Sequence, residues 1–155
     1  MTESEGKTRA ERYCSAAEHC CQEVRAMLER HGAESGDIER IIRHLVKEGY
    51  IDEYRYACAF VHDKVRFSKW GRVKIAQALW QKRIPQDIAD RALGSIEEDE
   101  YMAALKDVVQ SRYRAIKGAT EYERKMKTMK SVCSRGYEPP LVRKVLDLSE
   151  TTEYK

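Results

Sequence analysis

Apolar residues recur along the chain at three- and four-residue spacing, which is the pattern of amphipathic α-helices. Turn-forming residues and helix caps interrupt this pattern at intervals of ten to twenty residues. The predicted helices are 9–19, 21–31, 36–48, 53–66, 71–82, 85–94, 97–116, 119–135 and 139–147. Strand-forming residues are scarce, so the pattern predicts an all-α fold.

Three stretches resemble one another: LERHGAESGDIERII (28–42), LWQKRIPQDIADRAL (79–93) and VCSRGYEPPLVRKVL (132–146). Each closes one helix, passes through a turn marked by Gly or Pro, and opens a short helix. The spacing indicates a tandem array with a period near fifty residues, in which neighbouring units bury their apolar stripes by stacking. The predicted organisation is a flexible segment 1–8, helical repeats 9–50, 51–95 and 96–148, and a flexible segment 149–155.

Within the middle repeat, Asp52 is predicted to cap a helix that places Ala57, Phe60, Val61 and Phe67 on one face. The next helix is predicted to bury Ile75 and Leu79. The third repeat does not repeat that spacing and offers Met129 and Val132 instead. Pro85, and later Pro139 with Pro140, are predicted to open short helices, where a missing N–H has no cost.

The net charge of +3 is unevenly distributed. Residues 62–83 contain seven basic side chains and one acidic side chain, and residues 112–130 are basic as well. Such segments indicate a polyanion or an acidic protein surface as partner, although a charged helix face is often only solvated.

The candidate partner-binding residues all belong to the middle repeat. They are Lys64, Arg66, Lys69, Trp70, Arg72, Lys74, Lys82 and Arg83. The cations do not all fall on one side of their helices, so some must point elsewhere or lie over the core. Trp70 and Trp80 are the candidate aromatic anchors, with intramolecular packing as the alternative. Gly71 is interpreted as permitting a tight helix start.

Nothing in the sequence predicts catalysis. The glycines are isolated and form no phosphate loop, Ser68 lies in no nucleophile elbow, and the four histidines have no catalytic neighbours. The five cysteines include no CxxC pair and lack zinc-ligand spacing, which favours a reducing cytoplasm and no metal or cofactor. The apolar run YACAFV is too short to cross a bilayer, and the N-terminus has no apolar signal core.

The segments YCSAAEHCCQEVRAML, VKEGYIDEYRYACAFV and KWGRVKIAQALWQKRIPQDIADRAL resemble the regulatory protein RecX family over nearly the whole chain. The resemblance is most specific in the middle repeat, at Gly49-Tyr50-Ile51-Asp52, Phe60, Gly71, Ile75 and Leu79. It implies three tandem three-helix repeats in an elongated, curved array without catalytic activity. It also implies binding in the groove of the RecA–DNA filament, with inhibition of ATP hydrolysis, strand exchange and co-protease activity, and hence a role in DNA repair, recombination and the SOS response.

Two alternatives stay open. In the first alternative, the chain is a nucleic-acid-binding helical module that uses the basic face of the middle repeat. In the second alternative, it is a helical scaffold for an unrelated partner. The first would show steep salt dependence of binding to bare DNA. The sequence KIAQALWQ offers few side chains that read bases, which weakens this alternative.

Overall fold

The computed structural model describes residues 1–148, and within them all regular secondary structure is helical. The helices are α1 (Glu3–Ala16), α2 (Cys21–Arg30), α3 (Ser35–Lys47), α4 (Glu53–Asp63), α5 (Arg72–Gln81), α6 (Gln86–Gly94), α7 (Glu98–Ala115), α8 (Glu121–Ser134) and α9 (Pro139–Val145). A π-helical turn, Lys64–Ser68, follows α4 directly. The all-α prediction is therefore confirmed. No helix among residues 1–148 has the length and apolar character needed to cross a bilayer.

The first helix begins earlier than the sequence predicts. We expected a start near residue 9 after a flexible segment 1–8, whereas α1 begins at Glu3. The Thr2 hydroxyl accepts a hydrogen bond from the Glu5 amide at 3.1 Å and so caps the helix. Gly6 is a poor helix former, but it is buried, and a Cβ there would lie 3.0 Å from Ile41 Cδ1. The absent side chain lets α1 pack closely on α3. The predicted flexible segment 149–155 lies outside the described residues.

The π-helical turn changes which side chains after α4 reach the core. Val65 is only 1% exposed, whereas Phe67 is 80% exposed. The prediction that Phe67 shares a buried face with Ala57 and Val61 is therefore wrong. A π turn rotates less per residue than an α turn, so it turns Phe67 away from the apolar side. The predicted cap at Asp52 is confirmed, because its carboxylate accepts a hydrogen bond from the Arg55 amide at 3.0 Å.

The middle helices of the three repeats bury equivalent positions. Each has two fully buried side chains four residues apart: Val24 and Leu28, Ile75 and Leu79, and Thr128 and Val132. The third repeat thus keeps the four-residue spacing, but with Thr128 in place of the expected Met129. The buried Thr128 hydroxyl is satisfied because it donates to the Arg124 carbonyl at 2.8 Å.

The first turns of the middle helices are capped in two different ways. The Cys21 amide of α2 donates to the Glu53 carboxylate of α4 at 3.2 Å, and the Arg72 amide of α5 donates to the Tyr101 hydroxyl of α7 at 3.0 Å. In both cases the cap comes from the first helix of the next repeat. Helix α8 belongs to the last repeat, and its cap is local, since Thr120 accepts from the Glu123 amide at 3.0 Å. Helices α2 and α5 thus receive a cap from the next repeat, and α2 also has a local capping contact, because the Cys20 amide donates to the Glu23 carboxylate at 3.3 Å.

The chain forms two compact units. Among the described residues, the first unit comprises Met1–Phe60 and Leu79–Ala92, and the second comprises Val61–Ala78 and residues 93–148. The core of the first unit includes Ala10, Val24, Leu28, Ile41 and Leu45. The second unit has Tyr101, Leu105, Val132, Tyr137 and Val142 among its buried residues.

Candidate partner-binding surfaces

Arg72 stands at the centre of a hydrogen-bonded cluster in the second unit rather than on an open basic face. Its guanidinium donates to Glu138 at 2.8 Å and to Glu98 at 2.6 Å. The same group lies over the Tyr101 ring, 3.7 Å from the centroid, and the Tyr101 hydroxyl donates to the second oxygen of Glu138. The predicted partner-binding role of Arg72 therefore competes with a structural role.

The electrostatics of the Arg72 cluster follow from this geometry. Burial, reinforced by the hydrogen bond to Glu138, raises the pKa of Tyr101 above its usual value. Burial also works to raise the pKa of Glu138, but hydrogen bonds from Tyr101 and Arg72 outweigh it and lower that pKa. The cluster is thus held with a neutral phenol, an ionised carboxylate and a charged guanidinium.

Two more of the predicted cations face carboxylates of α7. Arg66 donates to Glu100 at 2.6 Å, and this hydrogen bond lowers the pKa of Glu100. The Lys69 ammonium is 4.0 Å from Asp107, at the limit of an ion pair. Lys69 also adopts a positive φ of 56°, and its carbonyl accepts a hydrogen bond from the Tyr137 hydroxyl at 3.1 Å. The backbone of Lys69 is therefore part of the packing of the second unit.

Lys82 occupies a similar cluster in the first unit. Its ammonium is 3.1 Å from Glu23, and the Tyr56 hydroxyl donates to the same carboxylate oxygen at 3.3 Å. Burial, with the nearby Cys20 and Glu23, raises the pKa of Tyr56. Burial opposes ionisation of Glu23, but hydrogen bonds from His19 and Lys82 lower its pKa overall. Lys82 and Arg72 thus have the same kind of environment. Each forms an ion pair with a half-buried glutamate, and that glutamate also accepts a hydrogen bond from a buried tyrosine hydroxyl.

Gly71 has a packing role that the sequence interpretation missed. Its amide donates to the Arg135 carbonyl at 2.9 Å, and the Val73 amide donates to the Gly136 carbonyl at 2.9 Å. The start of α5 is therefore bonded to the turn that follows α8. The sequence carried one signal of this contact, namely a glycine at both 71 and 136.

Three of the remaining candidates meet at one indole ring. The ammonium groups of Lys64 and Lys74 each lie 4.4 Å from the centroid of the Trp70 ring. Trp70 is half-buried, so part of its side chain packs inside the protein and part remains accessible to a partner. Two positive charges against one aromatic ring form a local positive surface suited to an anionic group.

Exposed apolar side chains lie close in sequence to these cations. In the second unit Phe67 is 80% exposed and Val73 is 45% exposed. In the first unit Trp80 is 75% exposed, and with Arg83 and Gln22 it lines a cavity of about 630 Å³. Arg83 is exposed and makes no side-chain hydrogen bond or ion pair within residues 1–148. Trp80 is therefore exposed, and Phe67, which the sequence places on one helix face with Ala57 and Val61, is a further anchor candidate.

The described residues contain no cluster of three or more His, Cys, Asp or Glu side chains able to hold a metal ion. The cysteines are free thiols, and burial raises the pKa of Cys14 to about 11 and that of Cys21 to about 11.

Three-helix repeats with exposed aromatics beside cations are typical of proteins that bind other macromolecules.

Comparison with known proteins assigns the family. Residues 52–93 match the family model of the second three-helix domain of RecX, and residues 98–146 match that of the third. The chain is 30% identical over 139 residues to the regulatory protein RecX of Prosthecochloris aestuarii, covering 90% of this chain and 89% of that relative. It is 30% identical over 145 residues to regulatory protein RecX of Leptothrix cholodnii, covering 93% and 88%. The chain belongs to the RecX family of regulatory proteins, which is not an enzyme family.

Relatives differ in length, and solved structures share the fold. The regulatory protein RecX of Clostridium tetani is 29% identical over 118 residues, and the chain spans only 54% of that relative. A crystal structure of a regulatory protein RecX superposes with a TM-score of 0.86 at 20% identity, covering 94% of this chain and 71% of that one. RecX from Lactobacillus salivarius superposes with a TM-score of 0.83 at 19% identity, covering 99% and 97%. Both likenesses support three-helix repeats as the architecture.

Proposed function

We propose that this protein modulates, mostly by inhibition, a RecA recombinase, and that it binds in the groove of the RecA–DNA filament. Bound there, it suppresses ATP hydrolysis, strand exchange and co-protease activity and so regulates DNA repair, recombination and the SOS response. The observation that carries the proposal is membership in the RecX family across most of the chain. Free thiols are consistent with action in the reducing cytoplasm, where recombination takes place.

The local chemistry supports a narrower contact surface than the eight candidate residues. Arg66, Arg72 and Lys82 already bind carboxylates of this chain. Exposed aromatics that bury much area at low entropy cost are better anchors than cations already neutralised. We therefore assign the filament contact to two separate surfaces. One consists of Phe67, Trp70 and Lys74 in the second unit, and the other of Trp80 and Arg83 in the first.

The alternative of a nucleic-acid-binding module based on the basic face of the middle repeat is less well supported. That face is largely neutralised by the same internal ion pairs. The cations that stay outside these ion pairs include the pair at Trp70 and Arg83, and they suit an acidic side chain as well as a phosphate.

The test is DNA-dependent ATP hydrolysis by the cognate RecA filament, with this protein added at substoichiometric ratios. We expect inhibition by the native chain, and a rise of about tenfold or more in the inhibiting concentration for Trp80→Ser and for Phe67→Ser. Val46→Ser is the matched control, because Val46 is 49% exposed and belongs to neither surface. No inhibition at any ratio would refute the proposed function. Equal inhibition by all variants would refute only the assigned surfaces.

A further inference from the structure

An arginine-lined groove lies between α1 and the end of α2, in a part of the chain that neither matched RecX domain covers. Its volume is about 770 Å³, and its walls include Ser4, Thr8, Arg9 and Arg12 from α1. Ser4, Thr8 and Arg12 fall on one helix face because they follow at four-residue spacing, and Arg9 lies at the edge of that face, three residues before Arg12. Arg30, in the last turn of α2, faces the same groove.

The arginines of this groove differ from Arg66 and Arg72 of the middle repeat. Arg9, Arg12 and Arg30 are exposed, and none of their side chains makes a hydrogen bond or an ion pair within residues 1–148. In contrast, Arg66 and Arg72 are each held by one or two carboxylates. The lining contains a single carboxylate, Glu5, so the groove has a surplus of positive charge. That charge is available to a ligand without breaking any contact of the fold.

We propose that this groove binds the phosphodiester backbone of a nucleic acid strand. Guanidinium groups form two parallel hydrogen bonds with phosphate oxygens, and hydroxyl groups such as those of Ser4 and Thr8 also donate to phosphates. Ser4, Thr8 and Arg12 follow one another at four-residue intervals, so their Cα atoms are about 6 Å apart along α1. A row of donors along one line fits a polymer that carries an anion in every unit.

A polymer fits the groove better than a small anion does. The arginines are exposed, so a single phosphate would remain solvated and would gain little from each contact. A strand that contacts three guanidinium groups releases several counterions, and this release is the main source of affinity in sequence-independent binding. An acidic peptide would rely more on apolar anchors, and since Met27 is only 4% exposed, the groove offers it Met1 and Tyr13 against a lining of three arginines.

The inference goes beyond the proposed function and does not rest on it, because the test contains no recombinase. The probe is a fluorescently labelled oligothymidylate strand, and its anisotropy is followed as the full chain is added at several salt concentrations. The test variant replaces Arg9, Arg12 and Arg30 with Gln. The control replaces Lys7, Arg43 and Lys47 with Gln, which removes the same charge from exposed positions of the same unit outside the groove.

We expect the groove variant to bind at least about tenfold more weakly, with a salt dependence shallower by about 2 in the log–log slope, since each strand phosphate contributes about 0.7. The control variant should stay within about threefold of the native chain. A third variant with Lys at the three groove positions should lose only part of the affinity, because it keeps the charge but not the fork geometry. This variant preserves the test if the Gln variant proves unstable.

Three results would overturn the inference. Equal loss in the groove and control variants would mean that net charge alone drives binding. Unchanged affinity in the groove variant would place the nucleic acid elsewhere. The groove variant could also keep its affinity for the oligonucleotide but lose affinity for polyglutamate, measured by the same method. That result would make the groove an acidic-peptide site.

Discussion

Gly71 and Gly136 meet backbone to backbone: a Cβ built on Gly71 would lie 2.3 Å from the carbonyl carbon of Gly136. A Cβ on Gly136 would in turn lie 2.4 Å from the Cβ of Lys74. Neither contact can be relieved by a change of rotamer, since backbone atoms and a Cβ are involved. The junction between α5 and the turn after α8 therefore depends on two glycines that belong to different repeats.

We expect Gly71→Ala to lower the free energy of unfolding by about 1–3 kcal/mol or more, because the added methyl group forces the two backbones apart. Urea unfolding followed by far-UV circular dichroism measures the change. Gly94→Ala is the control, because nothing lies within 4 Å of a Cβ at that position and α6 gains a better helix former. An unchanged midpoint for Gly71→Ala would show that the close approach does not exist in solution.

The turn after each middle helix contains a residue with positive φ at the equivalent position. Gly32 has φ of 82° and Gly136 has φ of 98°, but the middle repeat has Arg83 there, with φ of 59°. A non-glycine residue in this region is strained by about 1 kcal/mol or more. We therefore expect Arg83→Gly to leave the free energy of unfolding unchanged or to raise it by up to about 1 kcal/mol, after the entropy cost of glycine.

The reverse substitution, Gly32→Ala, is the matched control for Arg83→Gly. No atom lies within 4 Å of a Cβ at Gly32, so the change tests backbone conformation alone. It should lower the free energy of unfolding by about 1 kcal/mol. A loss of stability in Arg83→Gly would mean that the Arg83 side chain contributes to the fold, and its assignment to a partner surface would then have to be withdrawn.

Arg72 and Lys74 lie two residues apart, and we expect substitution of Arg72 to affect mainly the stability of the fold and substitution of Lys74 to affect mainly partner binding. Arg72→Leu removes a half-buried cation from Glu98 and Glu138, so we expect a loss of about 1–3 kcal/mol in the free energy of unfolding. Lys74→Gln removes only a contact with the Trp70 ring and should cost less than about 1 kcal/mol. Both variants are to be compared by urea unfolding and by inhibition of the filament ATPase. Equal stability of the two variants would contradict the structural role of Arg72.

The helices, the order of the repeats and most of the apolar core could be predicted from the sequence, because local spacing determines which residues are buried. Contacts between repeats could not. The cap that Tyr101 provides for α5, and the glycine contact at Gly71, join residues that are distant along the chain. Hydrophobic periodicity does not encode such a pairing, and the glycines at 71 and 136 do not by themselves reveal that they meet. For the same reason the cations of 62–83 looked like one basic face, although their carboxylate partners Glu98, Glu100 and Glu138 were present in the sequence.

The Phe67 error has a different physical origin. Hydrophobic periodicity assumes a constant rotation per residue, and the π-helical turn Lys64–Ser68 breaks that assumption. The third repeat shows a second difference from the predicted core. The sequence pattern favours the apolar Met129 as the buried residue, whereas the polar Thr128 is the one fully buried. Its hydroxyl is satisfied within its own helix, and so the position can be fully buried.

The carboxylate of Glu138 predicts how stability changes in acid. Its pKa in the folded state is lowered, on balance, by the hydrogen bonds from Tyr101 and Arg72 acting against burial. A group whose folded pKa lies below its unfolded value stabilises the fold above the unfolded value, and this contribution is lost as the pH falls through the folded pKa. The free energy of unfolding of the native chain should therefore decrease as the pH falls below the usual carboxyl range.

We expect Glu138→Gln to be less stable than the native chain at pH 7 and to lose less stability than the native chain between pH 5 and pH 3. The glutamine cannot be protonated in this range, and it offers Arg72 and Tyr101 only one acceptor oxygen. Glu97→Gln is the control, because Glu97 is exposed and makes no side-chain hydrogen bond within residues 1–148. Urea unfolding at each pH gives both curves. Parallel curves for the native chain and Glu138→Gln would show that this carboxylate does not couple folding to protonation, and the cluster around Arg72 would then contribute through packing alone.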